Sequence, residues 1–381
     1  MYSIAAYGKM IADELRMRAY SCAMQRAISS ESIVLDIGAG TGVFSLLACQ
    51  YGARKVFAIE PSNAISVAEE TVRANRFADR VVCIQGLSTE ISLTERADVI
   101  VSDLRGVLPL FEQHIPSIID SRNRLLGQGG TLIPKRDVIW AAIVEEPQLY
   151  SSLTEPWSRE RFKLSMDSAR RIATNQWIKA RVRPNQLLSK PSLWTTIDYL
   201  TVESPNVSAG ITFKVERPGT AHGFVLWFDA VLDDGIEFSN APGERELIYG
   251  SAFFPWDQPV VLGPNDQVFI DLRADLVGSD YVWTWNTRVS ESNSVTPKVQ
   301  FRQSTFFGSP IPIAQLRKRN ADHRPQLGED GKIELKTLEL MDGTRSNDEI
   351  TRILAETFRA RFIDPRDALP IVTRLAEKYG R

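Results

Sequence analysis

The sequence predicts an α/β chain: a doubly wound, Rossmann-like domain, then an antiparallel β-barrel domain, then a small C-terminal helical module. Three observations carry this. The apolar strand Val34-Leu35-Asp36-Ile37 runs into the glycine-rich turn Gly38-Ala39-Gly40-Thr41-Gly42 and then a helix. Strand and helix signatures alternate from Ser32 to Pro134, and after Lys135 short alternating segments between Gly, Pro, Asn and Asp turns replace them.

Taken in order, Tyr7 to Ala27 places Met10, Ile11, Leu15, Tyr20 and Met24 at helical spacing and predicts a helix there, part of an N-terminal helical cap over residues 1–30 packed on the next domain. Within residues 31–135 the expected strands are Ile33–Ile37, Lys55–Ile59, Arg80–Gln85, Asp98–Ser102 and Gly130–Ile133, with helices near Val43–Tyr51, Ile65–Asn75 and Leu110–Asn123. Residues 136–315 read as the β domain, with strands at Val138–Val144, Ser208–Val215, Gly223–Leu232, Pro259–Leu262 and Gln267–Arg273. Trp157 to Arg183 interrupts that pattern with a helical, partly apolar stretch bearing Phe162, Leu164, Met166, Ile172, Trp177 and Ile178. An apolar insertion of this kind predicts a covered surface. A linker around Arg317–Glu329 leads to a module over residues 330–381, where Ser346-Asn347-Asp348-Glu349 forms a capping box and Asp364-Pro365 starts a last helix.

Composition narrows the class. A chain of 381 residues is long enough for two or three domains, and a formal net charge of −2 gives no general attraction to nucleic acid or to an anionic membrane. Neither is an expected partner. Cys22, Cys49 and Cys83 are odd in number and lack Cys-x-x-Cys spacing, so buried thiols in a reducing, cytoplasmic compartment are expected, with no metal site.

The turn itself carries the chemistry. Closely spaced glycines let backbone approach a ligand, and the following helix offers free N–H groups. The spacing is Gly-x-Gly-x-Gly, unlike the Gly-x-Gly-x-x-Gly that accommodates a pyrophosphate, and Asp36 lies two residues before the first glycine. A carboxylate there repels a diphosphate and favours a cation, which fits S-adenosyl-L-methionine with its ammonium and sulfonium. Glu60, ending Arg54-Lys55-Val56-Phe57-Ala58-Ile59, stands where doubly wound folds hold ribose hydroxyls. Arg16 is within reach of a cofactor carboxylate.

These segments resemble the protein arginine methyltransferases over roughly residues 5–310, through Val34–Gly42, Ala58-Ile59-Glu60, Ala97-Asp98-Val99-Ile100-Val101-Ser102-Asp103 continuing to Phe111-Glu112, and Gly129-Gly130-Thr131-Leu132-Ile133-Pro134. The resemblance implies cofactor contacts from Arg16, Asp36, Gly38, Gly40, Gly42, Glu60 and Glu90, and a homodimer through the inserted arm at 157–183. It also implies that Asp103 and Glu112 grip an acceptor guanidinium, since paired carboxylates match a planar cation with forked donors.

Three departures stand out. The first acid of the pair is an aspartate, Phe254-Pro255-Trp256 replaces a Thr-His-Trp loop, and His114 takes a position the family fills with an apolar residue. His114 is therefore a third candidate catalytic group, able to take the acceptor's proton. The expected activity is methylation of a guanidinium or related nitrogen in a protein, peptide or small molecule. The alternatives are a hydroxyl or amine acceptor, and a cofactor-binding scaffold without activity. The C-terminal module loosely resembles winged-helix modules that bind leader peptides.

Overall fold

The computed structural model describes residues 3–158, 163–264, 266–291 and 296–380. It divides into two compact units, residues 1–310 and 311–381.

The first unit begins with two helices in place of the single one expected, α1 (Ile4–Ala12) and α2 (Glu14–Ala27). Asp13 breaks the run. Its side chain caps α2 by accepting from Arg16 N, and also accepts from Ile248 N at 2.7 Å. Cys22, on the outward side of α2, is exposed and not buried as expected, whereas Cys49 is buried.

The doubly wound region follows as β1 (Ile33–Ile37), α3 (Val43–Gln50), β2 (Lys55–Glu60), α4 (Ala64–Ala74), β3 (Val81–Gln85), β4 (Ala97–Ser102), α5 (His114–Arg124) and β5 (Leu126–Ile133). Its five parallel strands run in the order β3-β2-β1-β4-β5. Every residue of β1 is buried, as a central strand covered on both faces requires. Between β1 and β4 the direction of winding reverses, which opens a crevice at the carboxyl ends of the strands. That crevice is where the glycine turn emerges.

The antiparallel region contains β6 (Arg136–Val144), α6 (Pro147–Thr154), α7 (Asp167–Thr174), β7 (Ile178–Ala180), β8 (Ser192–Asp198), β9 (Val207–Lys214), β10 (Gly219–Asp233), β11 (Ile236–Ser239), β12 (Ser251–Leu262), β13 (Asp266–Val277), β14 (Asp280–Glu291) and β15 (Val299–Ser304). One sheet runs β7-β12-β10-β6-β8 with β11 beside β10, and the other runs β15-β14-β13-β9. The expected barrel is therefore two sheets, because among the described residues no ladder closes them into a ring. The seams are lighter ties: an isolated bridge joins Ser189 to Val215, and the Gln303 side chain donates to Pro255 O at 3.0 Å.

Aromatic rings from both sheets interleave between them. Phe254 stacks on Phe224 with centroids 4.8 Å apart and meets Trp283 and Trp285 at 5.2 Å. Each such ring is fully buried and contributes about 2–3 kcal/mol by leaving water. This core runs without a break into that of the parallel sheet.

The inserted stretch is less helical than its sequence suggests. Asp167–Thr174 is a helix, but Ile178–Ala180 pairs with β12 as an edge strand, and Phe162 lies outside the described residues.

The second unit holds α8 (Ile313–Lys318), α9 (Glu329–Leu340), α10 (Asn347–Thr357) and α11 (Leu369–Tyr379) around its own small core of Ile333, Ile350, Leu354, Phe362 and Val372. Ser346 and Glu349 form the expected capping box. Its described residues contain no strand, so the wing of a winged helix is missing.

Candidate active site

A cavity of about 790 Å³ occupies the crevice, walled by the ends of β1, β2, β3 and β4, by α1, and by Trp177, Lys179, Ile248 and Tyr249 from the antiparallel region. Of the sequence candidates, Arg16, Gly38, Glu60, Asp103, Glu112 and His114 line it, and Asp36, Gly40, Gly42 and Glu90 do not. Glu90 is exposed away from it, on the loop after β3.

The glycine turn is fastened from behind. Gly38 N and Ala39 N donate to Ile59 O at 2.9 Å, and Gly40 N donates to Glu60 Oε2 at 3.1 Å. Glu60 Oε1 accepts from Ser62 N at 2.9 Å, so the carboxylate is fixed at the rim with lone pairs to spare. A side chain on Gly40 would be strained at φ +54 and would put its Cβ 2.5 Å from the Tyr7 ring of α1. The turn and α1 thus form a close-fitting cradle.

Asp36 lies beneath that turn, fully buried. Ser45 Oγ donates to its Oδ2 at 2.7 Å, while Oδ1 has no partner. Burial pushes its carboxyl up to about 7, against the hydrogen bond from Ser45. An unpartnered buried carboxylate oxygen beside a glycine cradle suits a ligand that brings positive charge. With Asp36 behind the turn, and Glu60 and Arg16 in the cavity wall, the residues present fit S-adenosylmethionine.

The acceptor side is a buried charge network. Arg16 Nε donates to Asp103 Oδ2 at 2.5 Å and to Tyr249 Oη at 3.1 Å, and its guanidinium lies over the Tyr20 and Phe44 rings. Tyr249 Oη donates to the same Oδ2 at 2.5 Å, and Arg105 Nη1 donates to Oδ1 at 3.1 Å. Arg105 also makes a bidentate pair with Asp137, 2.8 Å on each arm, and donates to Tyr20 Oη at 2.7 Å. Tyr199 hydrogen-bonds Asp137. Burial opposes the charge on Asp103, but Arg16 and Arg105 outweigh it and hold the carboxyl below its ordinary value.

Glu112 differs in every respect. It is exposed, stands at φ +42, and makes no ion pair among the described residues. His114 is buried with Nδ1 2.8 Å from Pro109 O and Nε2 unpartnered. Burial, helped by the Arg105 charge, lowers it to about 4. The ring is neutral at pH 7, so the donor to Pro109 is Nδ1–H and Nε2 keeps a lone pair. Arg105, Asp137, Tyr199 and Tyr249 went unseen in the sequence, because Asp137 lies 32 positions from Arg105 and Tyr249 lies 146 from Asp103, with no local pattern linking either pair.

This geometry defines a class: a Rossmann-like domain with a ligand cavity at its switch point, joined to antiparallel sheets that supply the far wall. The Arginine methyltransferase oligomerization subdomain family matches residues 135–270, and the Ribosomal protein L11 methyltransferase (PrmA) family matches residues 21–146. Probable protein arginine N-methyltransferase 6 of Arabidopsis thaliana is 29% identical over 62% of this chain and 55% of its own length. Protein arginine N-methyltransferase 2 of Dictyostelium discoideum is 31% identical over 61% and 47% respectively. The chain spans about half the length of these two curated relatives.

The fold matches the crystal structure of Arabidopsis thaliana protein arginine methyltransferase 10 with TM-score 0.70 at 22% identity, covering 79% of this chain and 97% of that one. It also matches the Trypanosoma brucei PRMT1 enzyme-prozyme complex with AdoHcy at TM-score 0.71 and 19% identity, covering 78% and 96%. In sequence and fold the chain is therefore similar to protein arginine methyltransferases.

Proposed function

We propose that the protein is an S-adenosyl-L-methionine-dependent methyltransferase of the arginine-methyltransferase type, acting on a guanidinium or related nitrogen of a protein, peptide or small molecule. The observation that carries this is the opening of the glycine cradle, Glu60, Arg16 and the Asp103–His114 loop into one cavity. Glu60 would hold the ribose hydroxyls. Arg16, whose Nε is committed to Asp103, has Nη2 left for the cofactor carboxylate, and Asp36 stabilises positive charge from beneath the turn. When bound, the cofactor supplies a methyl carbon on a sulfonium, open to in-line attack.

The chain has then to align the acceptor nitrogen and exclude water from it. Helix α1 and Tyr249 wall the cavity for this purpose, and Glu112 receives the proton the nitrogen gives up. The wider reading divides the chain into a cap over 1–30, a cofactor domain over 31–135, a β domain over 136–315 and a C-terminal helical module over 330–381, in a cytoplasmic homodimer. Support for the homodimer comes from the oligomerization-subdomain match over 135–270.

Incubating the protein with methyl-labelled S-adenosylmethionine and fractions of peptides, proteins and small molecules tests the activity. Label should appear on a guanidinium or related nitrogen, and Glu112→Gln should abolish it. Label on no fraction, or undiminished transfer by Glu112→Gln, contradicts the reading.

A further inference from the structure

The two acids expected to share one acceptor differ in what already surrounds them. Both oxygens of Asp103 have partners: Oδ1 takes Arg105, and Oδ2 takes Arg16 and Tyr249. Two guanidinium groups face this one carboxylate, with side chains almost wholly removed from solvent. Together with the pair Arg105–Asp137, the network balances two arginines against two aspartates. A third guanidinium brought to Asp103 would meet like charge at hydrogen-bond range in a buried setting, where repulsion is poorly screened.

Glu112 has no ion-pair partner among the described residues. It lies exposed on the cavity wall in a backbone conformation that a non-glycine residue rarely adopts, the kind of strain that collects at ligand-binding positions. Two residues on, the orphaned Nε2 of His114 can accept one more hydrogen bond.

We propose that Arg105 is a specificity-determining internal counter-ion: it occupies Asp103, so that an acceptor guanidinium is gripped by one carboxylate, Glu112, with His114 Nε2 as its neutral second contact. Asp103 is then a positioning residue for Arg16. The inference rests on the methyltransferase reading above and specifies how that site recognises its acceptor.

The test uses agmatine, a free alkylguanidinium, titrated calorimetrically into protein saturated with S-adenosylhomocysteine. Glu112→Gln should weaken agmatine at least 100-fold while leaving the nucleoside affinity within twofold. The double variant Arg105→Met/Asp137→Asn, which keeps the net charge and frees Asp103, should bind agmatine at least tenfold more tightly than wild type. Adding Glu112→Gln to that double variant should restore measurable binding relative to Glu112→Gln alone.

A loss below fivefold in Glu112→Gln overturns the proposal whether or not the double variant folds. So does unchanged or weaker binding by a folded double variant, or an absence of agmatine binding in wild type carrying the nucleoside. Failure of wild type to bind S-adenosylhomocysteine is a different result, which removes the proposed function itself.

Discussion

His114 shows how burial alone can change a residue's role. A histidine beside a predicted pocket suggests a base titrating near 6.5, and its activity would then rise through that pH. Here burial holds the folded-state value at about 4, so the ring stays neutral across physiological pH. The stability consequence follows from the sign of that shift. With the folded pKa below the unfolded one, the unfolded chain binds the extra proton first, and the contribution present above pH 6.5 is lost as pH falls toward 4. At pH 5 the loss is about 2 kcal/mol relative to pH 7. Urea unfolding should show wild type losing about that much more than His114→Gln between the two pH values. Equal losses would mean His114 is protonated as easily folded as unfolded. Gly38 and Glu60, which both line the cavity, stood out in the sequence because the pattern around them is local. The links of Arg105 to Asp137 and of Asp103 to Tyr249 were not, since only folding brings those positions together.

At the scale of elements, β1 to β4 were legible to within a residue, because they read as short apolar runs between turns, whereas β5 begins at Leu126, four residues before the expected Gly130. Helix α5 starts at His114, four residues later than expected, because Leu110 and Phe111 belong to the acceptor loop, with Phe111 on the cavity wall. The inserted stretch was misread in part. Trp177, taken as a sign of another surface, lines the protein's own cavity and lies 6.5 Å from Phe254. Leu164 and Met166 remain 63% and 41% exposed just before α7, and they are the better candidates for a covered face. If that segment is a dimer arm, light scattering should report a dimer for wild type and a monomer for Leu164→Glu/Met166→Glu. A wild-type monomer at micromolar concentration, or an unaltered dimer in the variant, would count against the arm.

At the scale of the whole molecule, every residue lining the cavity lies within the first unit, and the second unit has a separate core. Within the first unit the parallel sheet supplies the cradle and the antiparallel region supplies Trp177 and Tyr249, so the cavity requires both. Their union was only half legible. The texture change near Lys135 marked the junction, but the continuous core across it depends on packing that no periodicity reports. Calorimetric titration of S-adenosylhomocysteine into the full chain tests whether this cavity binds S-adenosylmethionine. One site per chain is predicted, weakened by Glu60→Ala at least about tenfold, since hydrogen bonds to a charged group are worth about 1.5–3 kcal/mol. No binding by wild type, or equal affinity in Glu60→Ala, would contradict it.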